Sequence, residues 1–547
     1  MPKSESPENR SSWVATPAKK IIKNFLGQLP FTAELYWLFR QKGEAIKTRF
    51  SLRQLQSHMP EIVAQAKTVR ESGPKSENPR HIFIFSALHL WIEHTALLGI
   101  SLAALGNRVS YGFLPYSDWN KPINRFDLRR QNVYTQRILE GAGDLLNVIP
   151  FLNARGALRL PDPIKEAVQT VSSYDTQYTL QVEDIDTKSE LYRLRMERNT
   201  YAAQVAYSVL QSQKPDLVII PNGTILETGV VYRVARHLGI PIITYEFGDQ
   251  RQRIWLAQNA EVMRQETDAM WKTFQNTQMN ESQMERLGAL FTARQRGAMW
   301  ENFARLWQST PAQGGEQARA SLGLDDRPVV LLATNVLGDS LTLGRQVFSR
   351  SMSEWISRTV QYFAGRPDIQ FIIRIHPGEV LTHGLSMVDV VREVLPRLPE
   401  HIRLIGPKDK INTYDLVSVA DVGLVYTTTV GMEMAMNGIP VIVAGQTHYR
   451  GRGFTHDPDS WVSYYKILGQ MLENPAAYRL SRTQIEHAWH YAYRFFFDFP
   501  RPFPWHLVRC WEDYKNRPLQ AVFTPENWEE YRQTFEFLNG QALDWSK

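Results

Sequence analysis

The sequence predicts two doubly wound α/β domains that face each other, with a helical arm at the amino end and a helical tail at the carboxyl end. Three observations carry that expectation. Short apolar runs alternate with helical segments from His81 onward, a polar, glycine-containing break runs from Ser309 to Pro328, and the alternation restarts after it. At 547 residues the chain exceeds one ordinary core, and an apolar content of 43% is enough for two.

In chain order, MPKSESPENRSS is polar and lacks an apolar core, which predicts a disordered tail and no signal peptide. Ala18 to Phe50 mixes Lys and Arg with Ile, Phe, Leu, Trp and Tyr at helical spacing. Such an arm suits either an anionic membrane surface or packing on the body of the protein. The linker Glu71–Arg80 ends it. HIFIFSA reads as a buried strand, WIEHTALLGISLAALG as a helix and NRVSYGFLPY as a strand. The most apolar long window, His81–Leu105, is broken by His89, Glu93 and His94, against a membrane span. Residues 120–213 read as mostly helical. PDLVIIP, TILETGVVYRVARHLG and IPIITYEFG then give strand, helix and strand.

Beyond the break, VVLLATNV, IQFIIRIHP, HIRLIGP, VGLVYT and IPVIVAG read as strands, separated by the helices SRSMSEWISRTVQYFAG, TYDLVSVA and TVGMEMAMNG. The tail from Pro475 is helical and rich in aromatic residues. The expected units are 1–75 (tail and arm), 78–310, 320–475 and 476–547. One cysteine, Cys510, excludes a disulfide framework and a cysteine-rich metal site, which favours a reducing cytoplasm. Lys plus Arg (62) exceeds Asp plus Glu (56), a mild excess that favours anionic ligands or a membrane surface. Nothing in the pattern indicates nucleic acid.

The densest chemistry lies in VYTTTVGMEMAMNGIPVIVAG, Val425–Gly445. In open parallel sheets ligands sit at the carboxyl ends of strands. There Thr427, Thr428 and Thr429 offer hydroxyls to phosphate oxygens, Gly431 opens a helix, and Glu433 is spaced to accept from a ribose diol. The competing reading is an ordinary helix cap, although a cap needs only one hydroxyl. In FIIRIHPGE, His376 follows a strand with Arg374 on the same side two residues earlier. A turn histidine is the plain alternative. AGQTHYRGRGFTHDP is a glycine-rich basic loop with His448, Arg450 and Arg452, suited to a sugar phosphate or to solvent.

Taken together, RIHPGE, NTYDLVSVADVGLVYTTTVGMEMAMNGIPVIVAG and HYRGRGFT resemble the capsular polysaccharide biosynthesis glycosyltransferases. That group includes bacterial Kdo transferases, and its relatives include sialyltransferases with a His-Pro motif. The resemblance covers about Asp368–Pro458. It implies the GT-B architecture, two Rossmann-like domains with the active site between them and no metal or other cofactor. It also implies that His376 and the threonines hold the donor phosphate and Glu433 its nucleoside. Threonines stand where serines are often found, and the loop carries extra arginines.

In the first half, Asn222, Gly223 and Thr224 stand at a strand exit, where Asn-Gly is also a plain turn signal. Glu246 precedes Gly248, resembling the family's Glu-x-Gly element. An acid at the mouth of an apolar strand suits a general base whose pKa is raised by desolvation. Asp249 is the rival. His89 is the acceptor-side candidate at the first strand's exit, against the reading of a packed histidine. Asp184 and Asp186 read as a solvated turn rather than a metal site. The leading expectation is a cytoplasmic transferase, free or peripheral on the inner face of the membrane. It uses a CMP- or UDP-linked sugar donor and a glycan or lipid-linked acceptor, in capsule or related synthesis. The rivals are a CDP-polyol phosphotransferase of teichoic-acid type and a non-catalytic nucleotide-binding scaffold.

Overall fold

The computed structural model describes residues 17–43, 50–303, 310–382 and 384–546, without the side chains of 17–20. The expected tail, residues 1–16, lies outside the described residues.

Two sheets organise the chain. The first contains β1 (His81–Ala87), β2 (Arg108–Leu114), β3 (Asn147–Pro150), β4 (Leu217–Pro221), β5 (Ile242–Glu246) and β6 (Arg253–Gln258). The second contains β7 (Val329–Ala333), β8 (Gln370–Arg374), β9 (Ile402–Ile405), β10 (Val422–Val425) and β11 (Val441–Val443). A last strand, β12 (Arg501–Pro502), returns to the first sheet. The orders are β12-β6-β5-β4-β1-β2-β3 and β11-β10-β7-β8-β9. All pairs are parallel except β5·β6 and β6·β12. These are two doubly wound domains with helical extensions, a GT-B-like fold.

Alternation along buried strands builds a core on each side of each sheet. Ile82 and Ile84 of β1 enter one cluster, Phe83 and Phe85 the cluster on the opposite face. Likewise Val329 and Leu331 of β7 face one way, Val330 and Leu332 the other. Three strands escape the sequence reading. β3 is a four-residue edge among helices, and β6 mixes Arg253 and Trp255 with buried Ile254 and Leu256. β12 is two residues long and contains a proline, tolerated because it pairs at the sheet edge.

The cores also divide the chain differently from its polar break. Met270, Leu287 and Phe291 already belong to the second domain's core. Within the tail, Tyr491 and Phe495 pack on the second domain, whereas Phe503, Trp505 and Phe535 pack on the first. The chain therefore passes twice between the domains.

In each sheet the first strand of the unit lies between strands reached by opposite windings, β1 beside β2 and β4, β7 beside β8 and β10. That reversal opens a crevice at the carboxyl ends of the strands. Among the described residues no helix is long and apolar enough to cross a membrane.

Candidate active site

The second-domain crevice opens into a cavity of about 830 Å³ between the two domains. At the exit of β7, Asn335 Oδ1 accepts from the Thr427 N–H at the exit of β10, 3.1 Å away, which fixes the threonine backbone across the crevice. Thr427, Thr428 and Thr429 all line the cavity. Helix capping does not account for them. Thr429 occupies the N-cap position without a side-chain cap bond, and the Thr428 hydroxyl is 3.5 Å from the Val430 N–H. Thr427 is 8% exposed, and its Oγ1 has no hydrogen-bond partner among the described residues. An unpaired buried hydroxyl facing a cavity is costly unless water or a ligand completes it.

His376, beyond β8, lines the same cavity. Its Nδ1 accepts from the Gly378 N–H at 3.0 Å, which places the neutral ring's proton on Nε2 and makes that atom a donor. His448, beyond β11, is 6% exposed and lies parallel to the Phe495 ring, with centroids 3.7 Å apart. The Tyr491 hydroxyl lies 2.7 Å from the His448 carbonyl, 2.7 Å from Thr267 Oγ1 and 3.0 Å from His448 Nδ1, which ties the imidazole to the tail. His448 Nε2 has no partner among the described residues. Burial, aided by Arg452 and Arg345, holds the ring's pKa well below its usual value and keeps it neutral. Phe495 reaches this position through a π turn over Arg494–Asp498, closed by the Phe499 N–H on the Arg494 carbonyl at 2.8 Å.

Two buried arginines line the cavity, Arg294, which is paired with Glu433, and Arg345. The Arg345 guanidinium donates across the domain boundary to the Met263 carbonyl, and burial lowers its pKa to about 10. It remains charged at neutral pH.

Five donor-side expectations do not reach the cavity wall. Glu433 is 3% exposed; it pairs with Arg294 at 2.5 Å and accepts from Tyr414 Oη at 2.7 Å, so its carboxylate is committed inside the domain. Arg374 donates to the Gly406 carbonyl at 2.7 Å. Its assumed alignment with His376 fails because β8 ends at Arg374, and strand alternation does not extend past it. Arg450 is fastened to the carbonyls of Val443 (2.7 Å) and Pro458 (2.5 Å). Arg452 binds Thr267 Oγ1 at 3.1 Å and pairs with Asp268, holding the loop to the adjoining helix. Gly431 is a packing position, since a Cβ there would lie 2.5 Å from Tyr449 Oη.

The first-domain crevice holds a second cavity of about 400 Å³, at the exits of β1, β4 and β5. Trp119 and Tyr178 line both cavities, so the two adjoin. Glu246 lies in this wall together with Asn222, Trp91 and Phe247. Glu246 Oε2 accepts from Asn222 Nδ2 and Oε1 from the Phe247 N–H, both at 3.0 Å. Burial raises the Glu246 pKa in spite of these donors, because neither partner carries charge. Asp249, the rival acid, lines the larger cavity instead.

Asn222 adopts a left-handed backbone (φ 59°), and its Oδ1 accepts from the N–H groups of Thr224 (3.0 Å) and Ile225 (3.3 Å). Gly223 is off the wall; with φ 82° and Thr244 Cγ2 only 2.6 Å from a built Cβ, it is obligatory for the turn. His89 is also off the wall, packed edge-on against Phe50, and burial lowers its pKa. Trp91 takes its place. Behind the turn, Asp175 accepts from the Leu226 N–H at 2.5 Å, and the fully buried Arg195 bonds both Asp175 and Glu227 at 2.9 Å.

Sequence reading missed Asn335, Arg345, Trp119, Tyr178 and Phe495. Asn335 alone had a signal, as a polar residue at the exit of a switch-point strand. Asp186 accepts from the Lys188 N–H at 2.8 Å within a turn. Among the described residues no three His, Cys, Asp or Glu side chains converge as a metal site.

No protein-family model and no curated protein matches the chain. Among solved structures it is similar to Thermosulfurimonas dismutans KpsC, a β-Kdo 2,4 transferase, with 17% identity and a TM-score of 0.33 over 50% of this chain and 78% of that one. It is also similar to CalG4, the calicheamicin glycosyltransferase, with 13% identity and a TM-score of 0.24 over 80% and 98% of the two chains. A Neisseria meningitidis UDP-GlcNAc 2-epimerase gives 13% identity and a TM-score of 0.24 over 76% and 99%. At these values the fold assignment stands on the strand order above.

Proposed function

We propose that the chain transfers a sugar from a CMP- or UDP-linked donor to a hydroxyl of a surface polysaccharide or lipid-linked glycan. The role is one in capsule or related polysaccharide synthesis at the inner face of the membrane. The observation that supports it is the meeting of two unlike cavities at Trp119 and Tyr178. The threonine hydroxyls, His376 Nε2–H and Arg345 hold the donor phosphates on one side. Glu246 faces the acceptor hydroxyl on the other. In the transfer step Glu246 takes the hydroxyl proton while the acceptor oxygen bonds to the anomeric carbon. The bond from that carbon to the phosphate oxygen breaks, and its electrons pass to the departing nucleotide. Fixed donors around that phosphate stabilise the developing charge.

A thermal-shift panel of CMP, UDP and GDP tests the donor side, since a ligand of the folded state raises its melting temperature. One nucleotide should raise it, and Thr427→Val should reduce that affinity by about ten-fold, the value of one lost hydrogen bond to a charged group. Absence of any shift would remove the reading. Phosphorus retained in the product would instead mark polyol-phosphate transfer, and binding without turnover would mark a scaffold.

A further inference from the structure

The amino-terminal hairpin consists of helices Pro17–Gln28 and Thr32–Phe39. Between Ile21 and Phe39 it exposes nine large apolar side chains, while eleven are scattered over all the other described residues. Ile21 and Phe39 are each 69% exposed and Phe31 is 71% exposed. A patch this dense on a soluble surface marks a contact site. Phe31 adds a second observation. It sits at the turn with φ 59°, a backbone conformation that bulky residues rarely adopt, and it holds its side chain largely in solvent.

The opposite face of the hairpin is anchored. Trp37 and Ala33 are buried, and a Cβ on Gly27 would lie 2.6 Å from the Phe126 backbone nitrogen. Lys23 pairs with Asp127 at 2.8 Å, and Arg129 pairs with Glu34. The body therefore presents the apolar face in a fixed orientation.

Charge selects the occupant. Among the described residues each carboxylate at the hairpin is paired with a cation, while Arg40 and Lys42 are exposed and the sequence adds Lys19 and Lys20. A second copy of this face would bring like charges together. Residues 1–16, MPKSESPENRSSWVAT, contain too little apolar surface to cover it. We propose that the hairpin seats the protein on an anionic lipid bilayer, its apolar side chains entering the headgroup boundary and its cations meeting lipid phosphates. This deepens the reading above by naming the surface that meets the membrane, and its test uses no substrate.

The experiment is co-sedimentation of the full chain with vesicles of phosphatidylcholine alone and of phosphatidylcholine mixed with phosphatidylglycerol. Binding is expected only to the anionic vesicles and should weaken with salt. The double variant Ile22→Glu/Phe25→Glu, at two exposed positions, should reduce binding by at least about ten-fold with an unchanged melting temperature. Arg40→Glu/Lys42→Glu should lose the anionic preference while keeping the apolar face. A wild-type chain that stays in the supernatant overturns the proposal. So does a mass in solution that doubles with concentration and reverts in the Ile22→Glu/Phe25→Glu variant without vesicle binding, which would make the face a contact between copies. Neither result bears on nucleotide binding, so transfer can stand if the membrane surface falls.

Discussion

The two crevices share a topology and differ in chemistry. Both open where a first strand separates two windings of a parallel sheet. In the second domain the strand exits carry hydroxyls, two neutral-capable imidazoles and a buried arginine. In the first they carry a carboxylate, an amide and aromatic rings, and among the described residues no Lys, Arg or His lines that cavity. The fold fixes where the crevices open, and the few residues just beyond each strand decide their chemistry. The same contrast appears in two glutamates. Glu433 is paired with a cation, Arg294, whereas Glu246 is held by two neutral donors. The first is a component of the packing, and the second is left with a raised pKa and a cavity to face.

Replacing Glu246 by Gln is the strongest way to break this division. Loss of a general base costs about 10²- to 10⁴-fold in turnover, so kcat should fall by at least that lower bound while nucleotide affinity is unchanged. The sign for stability runs the other way. The folded pKa of Glu246 lies above its unfolded value, so ionisation removes stability as pH rises through the folded pKa. The Gln variant escapes that charge penalty but sets its NH2 against one of the two donors, Asn222 Nδ2 or the Phe247 N–H, so at neutral pH the two effects oppose and the melting temperature should change little. Near-normal turnover would shift the base to Asp249, and lost nucleotide binding would show that the crevices do not divide the work.

The sheet strands were legible because a buried parallel strand is a continuous apolar run, as in HIFIFSA and FIIRI. Their exits were legible for the same reason, which is how Glu246, Asn222, His376 and the three threonines could be picked out as cavity residues. Side-chain direction was not legible. Arg374, Arg450 and Arg452 lie in the right segments, but each guanidinium finds backbone or side-chain oxygens nearer than the cavity. Residues brought in by long-range packing left no local signal. Phe495 reaches His448 only through a π turn in a tail that returns from the second domain, and Trp119 meets both cavities from a loop.

The second glutamate sharpens the comparison through stability. Glu433→Ala leaves Arg294 buried without its carboxylate, and breaking a buried pair costs about 3–5 kcal/mol. Chemical denaturation should show a loss of that order, measured without ligand. If stability were unchanged and nucleotide affinity fell instead, Glu433 would belong to the donor site after all.

The smallest effect is the most discriminating. In Asn222→Asp the side-chain oxygen that accepts from the Thr224 and Ile225 N–H groups is kept, and Asp tolerates the left-handed backbone. The variant changes one thing at Glu246: an N–H that stabilises the carboxylate is replaced by a second carboxylate. Like charge disfavours ionisation, so the Glu246 pKa should rise further. On the proposed mechanism turnover depends on the ionised base and should increase with pH up to a plateau in wild type. In the variant the rising limb should move to higher pH by about one unit or more, with a plateau within a few-fold of wild type. A purely structural role for Asn222 would lower the plateau and leave the limb where it was, which would separate positioning of the turn from tuning of the base.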